Sequence, residues 1–262
     1  MNFLKLVAAG NDFVLIPEDG MRAAEPEKMA IRLCDRKTGI GADGLLVVRK
    51  ISQNTVGVRH FNSDGSAAFC GNGSRCAAWF AHCSGMIKRR EFLLHTSAGK
   101  LRAKVTGKEK IKLQIPDVKK ITLHHPGRYP APAKKVHFLN TGVPHAVVPV
   151  SSLDFDIEKP GRLLRFNPSF GKAGANIDFV TLKGGKILIR TYERGVEAET
   201  LACGTGAAAA AIALGLAGKV TSPVTCITAS GEKLIVWFKA GKCSASDVCL
   251  EGPARIVFRG KI

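Results

Sequence analysis

Short apolar runs, alternating with polar residues and closed by Gly or Pro, cover most of the chain. Runs of this length and period read as strands. They fall at 3–7, 13–16, 45–48, 56–61, 92–96, 101–105 and 111–115. The second half repeats the style at 136–139, 146–150, 177–182, 187–192, 224–228, 234–238, 248–250 and 255–258. A helix is predicted over 26–34, with Pro26 in its first turn and Gly39 beyond its end. A short one is predicted within 156–164. Two segments break the strand pattern. Residues 204–218 are Ala-rich and apolar on every side, and a helix with no polar face is a buried one. Residues 71–85 share that grain through Ala77, Ala78, Trp79, Phe80 and Ala81. The expected class is α/β, with mostly antiparallel strands wrapped around one central helix in each of two lobes. The Pro-, Gly-, Lys- and His-rich stretch 117–132 marks their boundary, giving lobes 1–116 and 117–250.

The two apolar segments open on the same motif. Cys70-Gly71-Asn72-Gly73 starts one, and Cys203-Gly204-Thr205-Gly206 starts the other, 133 positions later. The copies also agree at Ala77/Ala210, at Ala78/Ala211 and at the closing Gly85/Gly218. Farther on, Thr96-Ser97-Ala98-Gly99 echoes Thr228-Ala229-Ser230-Gly231. A duplicated unit with one thiol per copy predicts pseudo-symmetric lobes whose thiols face each other across a cleft. Such a pair could take a proton from one face of a carbon and return it to the other.

Composition narrows the class. With 262 residues, 45% of them hydrophobic, the chain can bury a substantial core. Its 39 Lys and Arg against 21 Asp and Glu give a net charge of +18, which suits nucleic acid or small acidic metabolites. The charge is scattered through Lys88-Arg89-Arg90, Lys119-Lys120, Lys134-Lys135 and the C-terminal segment. No nucleic-acid motif accompanies it, so no nucleic-acid partner is expected. Eight cysteines without a Cys-x-x-Cys pair fit neither a disulfide scaffold nor a structural zinc site, and no metal is expected. Cys34, Cys76, Cys83, Cys226, Cys243 and Cys249 are expected to be inert core thiols. The first residues lack the features of a signal peptide, and no apolar run is long enough to span a bilayer. A soluble cytoplasmic protein is expected.

The chemistry expected at Cys70 and Cys203 follows from their place before a helix. Helix N-termini carry partial positive charge and unpaired N–H groups, which favour a thiolate. The neighbouring glycines let backbone amides approach an anion, such as the carboxylate of an α-amino acid. That grip would hold the α-carbon near sulfur and stabilise charge as the α-proton leaves. Glu193, Arg194 and His145 add groups able to bond an ammonium, fork onto a carboxylate or assist a thiol. Gly39-Ile40-Gly41-Ala42-Asp43-Gly44 matches a dinucleotide fingerprint. Here, however, a helix precedes it and a strand follows, the reverse of the required order.

These residues resemble the diaminopimelate epimerases, amino-acid racemases that work without pyridoxal phosphate. The likeness covers nearly the whole chain. It is carried by Gly10-Asn11-Asp12-Phe13, Asp35-Arg36, the 39–44 segment, Phe61-Asn62-Ser63-Asp64-Gly65-Ser66, both Cys-Gly motifs, Pro144-His145, Asn176, Tyr192-Glu193-Arg194-Gly195 and Gly252-Pro253-Ala254. The resemblance implies two strongly curved sheets around central helices, with the strand in 251–262 returning to the first lobe. It implies interconversion of LL- and meso-diaminopimelate, no cofactor and a homodimer. Cys70 and Cys203 would be the acid/base pair. Asn11, Asn62, Asn176, Glu193 and Arg194 would fix the distal head group, while Gly71, Asn72, Gly204 and Thr205 hold the reacting carboxylate. Asn140 and His145 would lie near the site. The chain departs from the commonest pattern at Gly44, where Gln is frequent, and at Val143, where Asn often precedes Pro-His. It departs also at Leu6-Val7-Ala8-Ala9, Ala67 and Ala68.

Other readings remain open on the residues alone. One is a cofactor-independent racemase of another amino acid, such as proline or histidine. Another is a thiol redox protein cycling through a disulfide.

Overall fold

The computed structural model describes residues 1–20 and 25–262. The chain forms two compact units: Met1–Gln114 with Glu251–Ile262, and Ile115–Leu250.

In the first unit, strands Asn2–Ala8 and Asn11–Pro17 form an antiparallel hairpin. Ala9 and Gly10 make its two-residue turn, both with positive φ (50° and 88°), the backbone of a tight hairpin turn. Helix α1 (Pro26–Cys34) then crosses over to Gly44–Ser52, parallel to Asn11–Pro17. Thr55–Asn62 returns antiparallel. Helix α2 (Gly71–Cys83) crosses to Glu91–Thr96, parallel to Thr55–Asn62. Gly99–Gly107 and Lys110–Gln114 complete one side antiparallel, and Arg255–Lys261 pairs antiparallel with Asn2–Ala8 on the other. One face of this sheet encloses α2. Leu4, Leu6, Phe13, Leu15, Leu46, Val48, Val56, Leu94, Leu101 and Ile111 pack with Cys76, Ala77, Ala78, Phe80 and Ala81. The opposite face carries α1, through Met29, Ala30, Leu33 and Cys34 against Val14, Ile16, Leu45 and Val47.

The second unit runs through the same succession. His137–Asn140 and Pro144–Pro149 are antiparallel, and α3 (Glu158–Arg165) lies on the connection to the parallel strand Asn176–Lys183. Lys186–Glu193 returns antiparallel. Helix α4 (Gly204–Leu216) leads to Val224–Ile227, parallel to Lys186–Glu193, and Lys233–Ala240 follows antiparallel. The duplication seen around two cysteines therefore extends to the whole succession of pairings, antiparallel, parallel, antiparallel, parallel, antiparallel. The Thr96–Gly99 and Thr228–Gly231 echoes are the matching hairpin turns after each central helix.

Three short strands were not expected: Ala67–Ala68, Val118–Lys119 and Ala198–Thr200. At two or three residues they are too short for any period to register. Three cysteines expected in the core are elsewhere. Cys83 and Cys243 are exposed and Cys249 is half-buried, because each stands on the outward side of an element end or strand. Among the described residues no helix is long and apolar enough to cross a membrane.

Nine successive positions of α4, Gly206 to Leu214, are buried, and most of them are Ala. Small side chains all round let strands approach the helix from several directions at once. Ala210→Leu is expected to overpack this helix and lower stability by about 1–3 kcal/mol. A urea unfolding midpoint that is unchanged or raised would contradict that packing.

Candidate active site

Each cysteine is the N-cap of its unit's central helix. Cys70 has φ −137° and ψ 119°, Cys203 φ −120° and ψ 111°, both extended. Each Sγ accepts from the amide three residues on, Gly73 N and Gly206 N, at 3.4 Å in both copies. Sulfur here takes the place that a hydroxyl or carboxylate oxygen usually fills at a helix start. It meets the partial positive charge of the helix terminus.

Sheet register gathers the other candidates at the same edge. In a strand–helix–strand crossover the helix starts beside the carboxyl end of the preceding strand. Asn62 ends Thr55–Asn62, and it pairs with Gly44, which in turn pairs with Phe13 near Asn11. In the second unit Glu193 ends Lys186–Glu193 where Asn176 begins its strand, Asn176 pairs with His145, and Asn140 pairs with Pro144. The predicted residues of each copy thus lie along one edge of its own sheet.

Around Cys70 the polar groups are tied together. Asn72 is buried, donates to Asn11 Oδ1 at 2.6 Å and accepts from Arg75 Nη2 at 2.7 Å. Asn11 in turn donates to Asp43 Oδ2 at 3.0 Å. Behind them, Arg36 bridges Asp12 and Asp43 at 2.8 and 2.7 Å, and Lys5 reaches Asp12 at 2.7 Å and the Gly41 carbonyl. The 39–44 segment, useless as a dinucleotide loop, serves to close this ion network and to fix Asn11. Burial alone would raise the Asp12 carboxyl, but hydrogen bonds and charge from Arg36 and Lys5 outweigh it and hold it down to about 2. Asn62 stands at a turn, with its amide donating to Ser66 Oγ at 2.9 Å.

Around Cys203 the environment is more enclosed. The thiol is buried, and burial pushes it well above its ordinary 9.0, helped by the charges of Glu193 and Asp178. The contact with the Thr205 hydroxyl and the bond from the Gly206 amide pull the other way and do not prevail. The expectation that a helix start favours a thiolate therefore fails for Cys203, because desolvation outweighs the helix terminus. Asn176 is buried and spends its amide on the backbone, donating to Pro144 O at 3.0 Å and accepting from Arg194 N at 2.9 Å. It holds the Glu193-Arg194-Gly195 turn in place. The Arg194 side chain is half-buried and has no partner among the described residues. Asn140 is exposed and accepts from Gly142 N at 2.9 Å. Thr141 bonds the Thr205 carbonyl at 3.1 Å.

His145 has no exposed surface and lies between Asp178 Oδ2, at 2.7 Å from Nδ1, and Thr205 Oγ1, at 3.0 Å from Nε2. Sequence reasoning missed Asp178 and its cross-strand partner Thr191, which donates to Asp178 Oδ1 at 2.8 Å. The available signal was an acidic residue between Ile177 and Phe179 in an otherwise apolar run, since Asp is rarely fully buried without partners. No group of three His, Cys, Asp or Glu is placed to hold a metal among the described residues.

Residues 3–121 and 137–257 match the family model for diaminopimelate epimerase. The chain is 39% identical over 284 residues to the diaminopimelate epimerase of Hydrogenobaculum sp. (strain Y04AAS1), covering 100% of this chain and 98% of that protein. Two solved structures share the fold. One is a Bacillus anthracis phenazine biosynthesis protein of the PhzF family, with TM-score 0.79, 14% identity and coverage of 100% and 98%. The other is a probable proline racemase from Agrobacterium radiobacter K84 with bound carbonate, with TM-score 0.72, 16% identity and coverage of 100% and 92%.

The Asp12 network makes a prediction for acid stability. A carboxyl lowered from its ordinary 3.8 to about 2 stabilises the fold above its ordinary value. That contribution, about 2 kcal/mol, is lost as pH falls from about 4 to about 2. Denaturant titrations across this window are expected to show the decline, and Asp12→Asn to flatten it. An equal decline in the variant would contradict the network.

Proposed function

The chain belongs to the diaminopimelate epimerase family, and from that premise we propose how its residues interconvert LL- and meso-2,6-diaminopimelate. The reaction is an isomerisation at one α-carbon, a step of lysine biosynthesis. The observation that carries the residue assignment is the duplicated seat of the two sulfurs, each the N-cap of a buried helix and each 3.4 Å from a helix amide.

Inversion at carbon needs one group to remove the proton and another to supply one on the opposite face. Cys70 and Cys203 take these roles. The thiolate of one abstracts the α-proton, and the electron pair spreads into the substrate carboxylate. Amides at Gly71, Asn72, Gly204 and Thr205 stabilise that charge, as helix N-termini do for anions. The other thiol then protonates the carbon, and the two sulfurs end with exchanged protonation. Cys203 rests as the thiol, since burial raises it, so it is the donor in the first half of this cycle.

Asn11, Asn62, Asn176, Glu193 and Arg194 hold the distal head group. The half-buried Arg194 guanidinium, with no partner among the described residues, is the natural fork for the distal carboxylate. That feature favours a substrate with a second carboxylate over proline or histidine. Asn140 supports the site by shaping the turn before Pro144-His145. The enzyme is further proposed to work without pyridoxal phosphate, as a cytoplasmic homodimer. Family resemblance supports these three points.

In deuterated water the product is expected to carry deuterium at the α-carbon, and Cys70→Ala and Cys203→Ala each to abolish turnover. Activity surviving in either variant would end the two-thiol assignment. Arg194→Ala is expected to lower kcat/KM for diaminopimelate roughly 100-fold, about 3 kcal/mol for a lost charged pair. An unchanged kcat/KM would point to a substrate without the second head.

A further inference from the structure

Below Cys203 the sheet carries a carboxylate that the two-thiol reading leaves idle. Asp178 has no exposed surface and sits against the first turn of α4, where a Cβ on Gly206 would stand 2.4 Å from its Oδ1. Only glycine at 206 permits that approach. From Asp178 the contacts run outward without a gap. His145 Nδ1 lies 2.7 Å from Asp178 Oδ2, His145 Nε2 lies 3.0 Å from Thr205 Oγ1, and Thr205 Oγ1 lies 3.3 Å from Cys203 Sγ.

The direction of this path follows from donor and acceptor types. A carboxylate only accepts, so the ring proton is on Nδ1. With a single ring proton, Nε2 is then bare and accepts from the Thr205 hydroxyl. The Thr205 oxygen is left to accept from the Cys203 S–H. Thr191, donating to Asp178 Oδ1, anchors the far end.

We propose that Asp178 is a positioning residue that fixes His145 as the proton acceptor for the Cys203 thiol, acting through the Thr205 hydroxyl. The proposal rests on the two-thiol epimerase reading. In the step it describes, the Cys203 S–H bond breaks and its proton passes to Thr205 Oγ1. Thr205's own proton passes to His145 Nε2. The products are a thiolate and an imidazolium whose Nδ1–H remains on Asp178, and the four side chains neither gain nor lose a proton. This gives a buried thiol a route to the thiolate that its surroundings otherwise oppose. The reverse transfer restores the thiol.

The device belongs to one copy only. The counterpart of Asp178 beneath Gly73 is Leu46, whose Cδ2 would meet a Cβ on that glycine at 2.9 Å. The other titratable groups on this face of the second sheet are few. Strand His137–Asn140 brings His137, held down to about 4 by burial, with the charges of His124 and Lys135 adding to it. Lys186–Glu193 brings Glu193, and Val224–Ile227 brings Cys226, pushed up to about 12 by burial. Lys233–Ala240 presents the apolar Leu234, Val236 and Phe238.

The first test reads the ring directly. Long-range ¹H–¹⁵N imidazole spectra of the full chain, with His145 assigned by His145→Gln, should show the proton on Nδ1 and Nε2 bare at neutral pH. A proton on Nε2 overturns the proposal. The second test uses Asp178→Asn. At neutral pH its kcat should fall about 10- to 100-fold with KM within about 2-fold, and activity should recover as pH rises into the thiol range. Unchanged kcat, or an equal loss at every pH, overturns it. Should Asp178→Asn fail to fold, Thr205→Val is expected to show the same pH-dependent loss of kcat, and Thr205→Ser, which restores the hydroxyl, to regain most of what Thr205→Val loses; no regain overturns the proposal. If the parent protein does not epimerise diaminopimelate, the functional reading falls while the tautomer measurement still decides the geometry of His145.

Discussion

Sulfur at the N-cap of a buried helix is the constraint on which the rest of the molecule depends. A helix can present its N-terminal amides to a substrate only if the strand before it ends nearby. It can be buried on all sides only if its own side chains are small. Helix α4 meets both, with alanine at most of its buried positions, while α2 meets the first and carries the larger Arg75 and Phe80 inside with Trp79 and His82 half-buried. The crossover geometry then decides where polar residues must stand. Asn62 and Glu193 end the preceding strands, and Asn11 and Asn176 lie beside them through the register. The Ala9-Gly10 turn and the Asp12–Arg36–Asp43 cluster serve mainly to hold such residues at that edge.

The two copies share a backbone plan and differ in what lies under the thiol. Beneath Cys70 the place of Asp178 is taken by the apolar Leu46, with His60 beside it in the register, and the side chains tied to Asn72 are an amide and an arginine. Beneath Cys203 a buried Asp–His pair leads to the thiol through a hydroxyl. The proposed two-thiol reaction, run in both directions, needs its two sulfurs to exchange states readily. It does not need them in identical surroundings. The two seats match, and the difference between Leu46 and Asp178 makes them chemically unequal.

Much of this was legible in the sequence because it was written twice. The repeated Cys-Gly-x-Gly motif marked the starts of the two central helices, and the Ala-rich apolar segment after the second marked a buried one. Helix α1 was readable to the residue from Pro26 and the apolar spacing up to Cys34. What stayed hidden depends on contacts between residues far apart in the chain. Asp178 and His145 are separated by 33 positions and meet only once the parallel strands are in register. The direction in which Cys203 is shifted was likewise unreadable, because the helix terminus is a local feature and burial is a tertiary one. Cys83 and Cys243 were misplaced for the same reason, their exposure being set by where an element ends against its neighbours.

The most direct test follows the Cys203 sulfur itself. Protein labelled with ¹³C at cysteine Cβ, with the resonance assigned by Cys203→Ser, can be titrated through neutral and alkaline pH. The account requires Cys203 to remain a thiol at neutral pH and to ionise only above the ordinary 9.0. A Cys203 already ionised at neutral pH would show that the helix terminus overrides burial, and the chemistry assigned to this half of the site would be wrong.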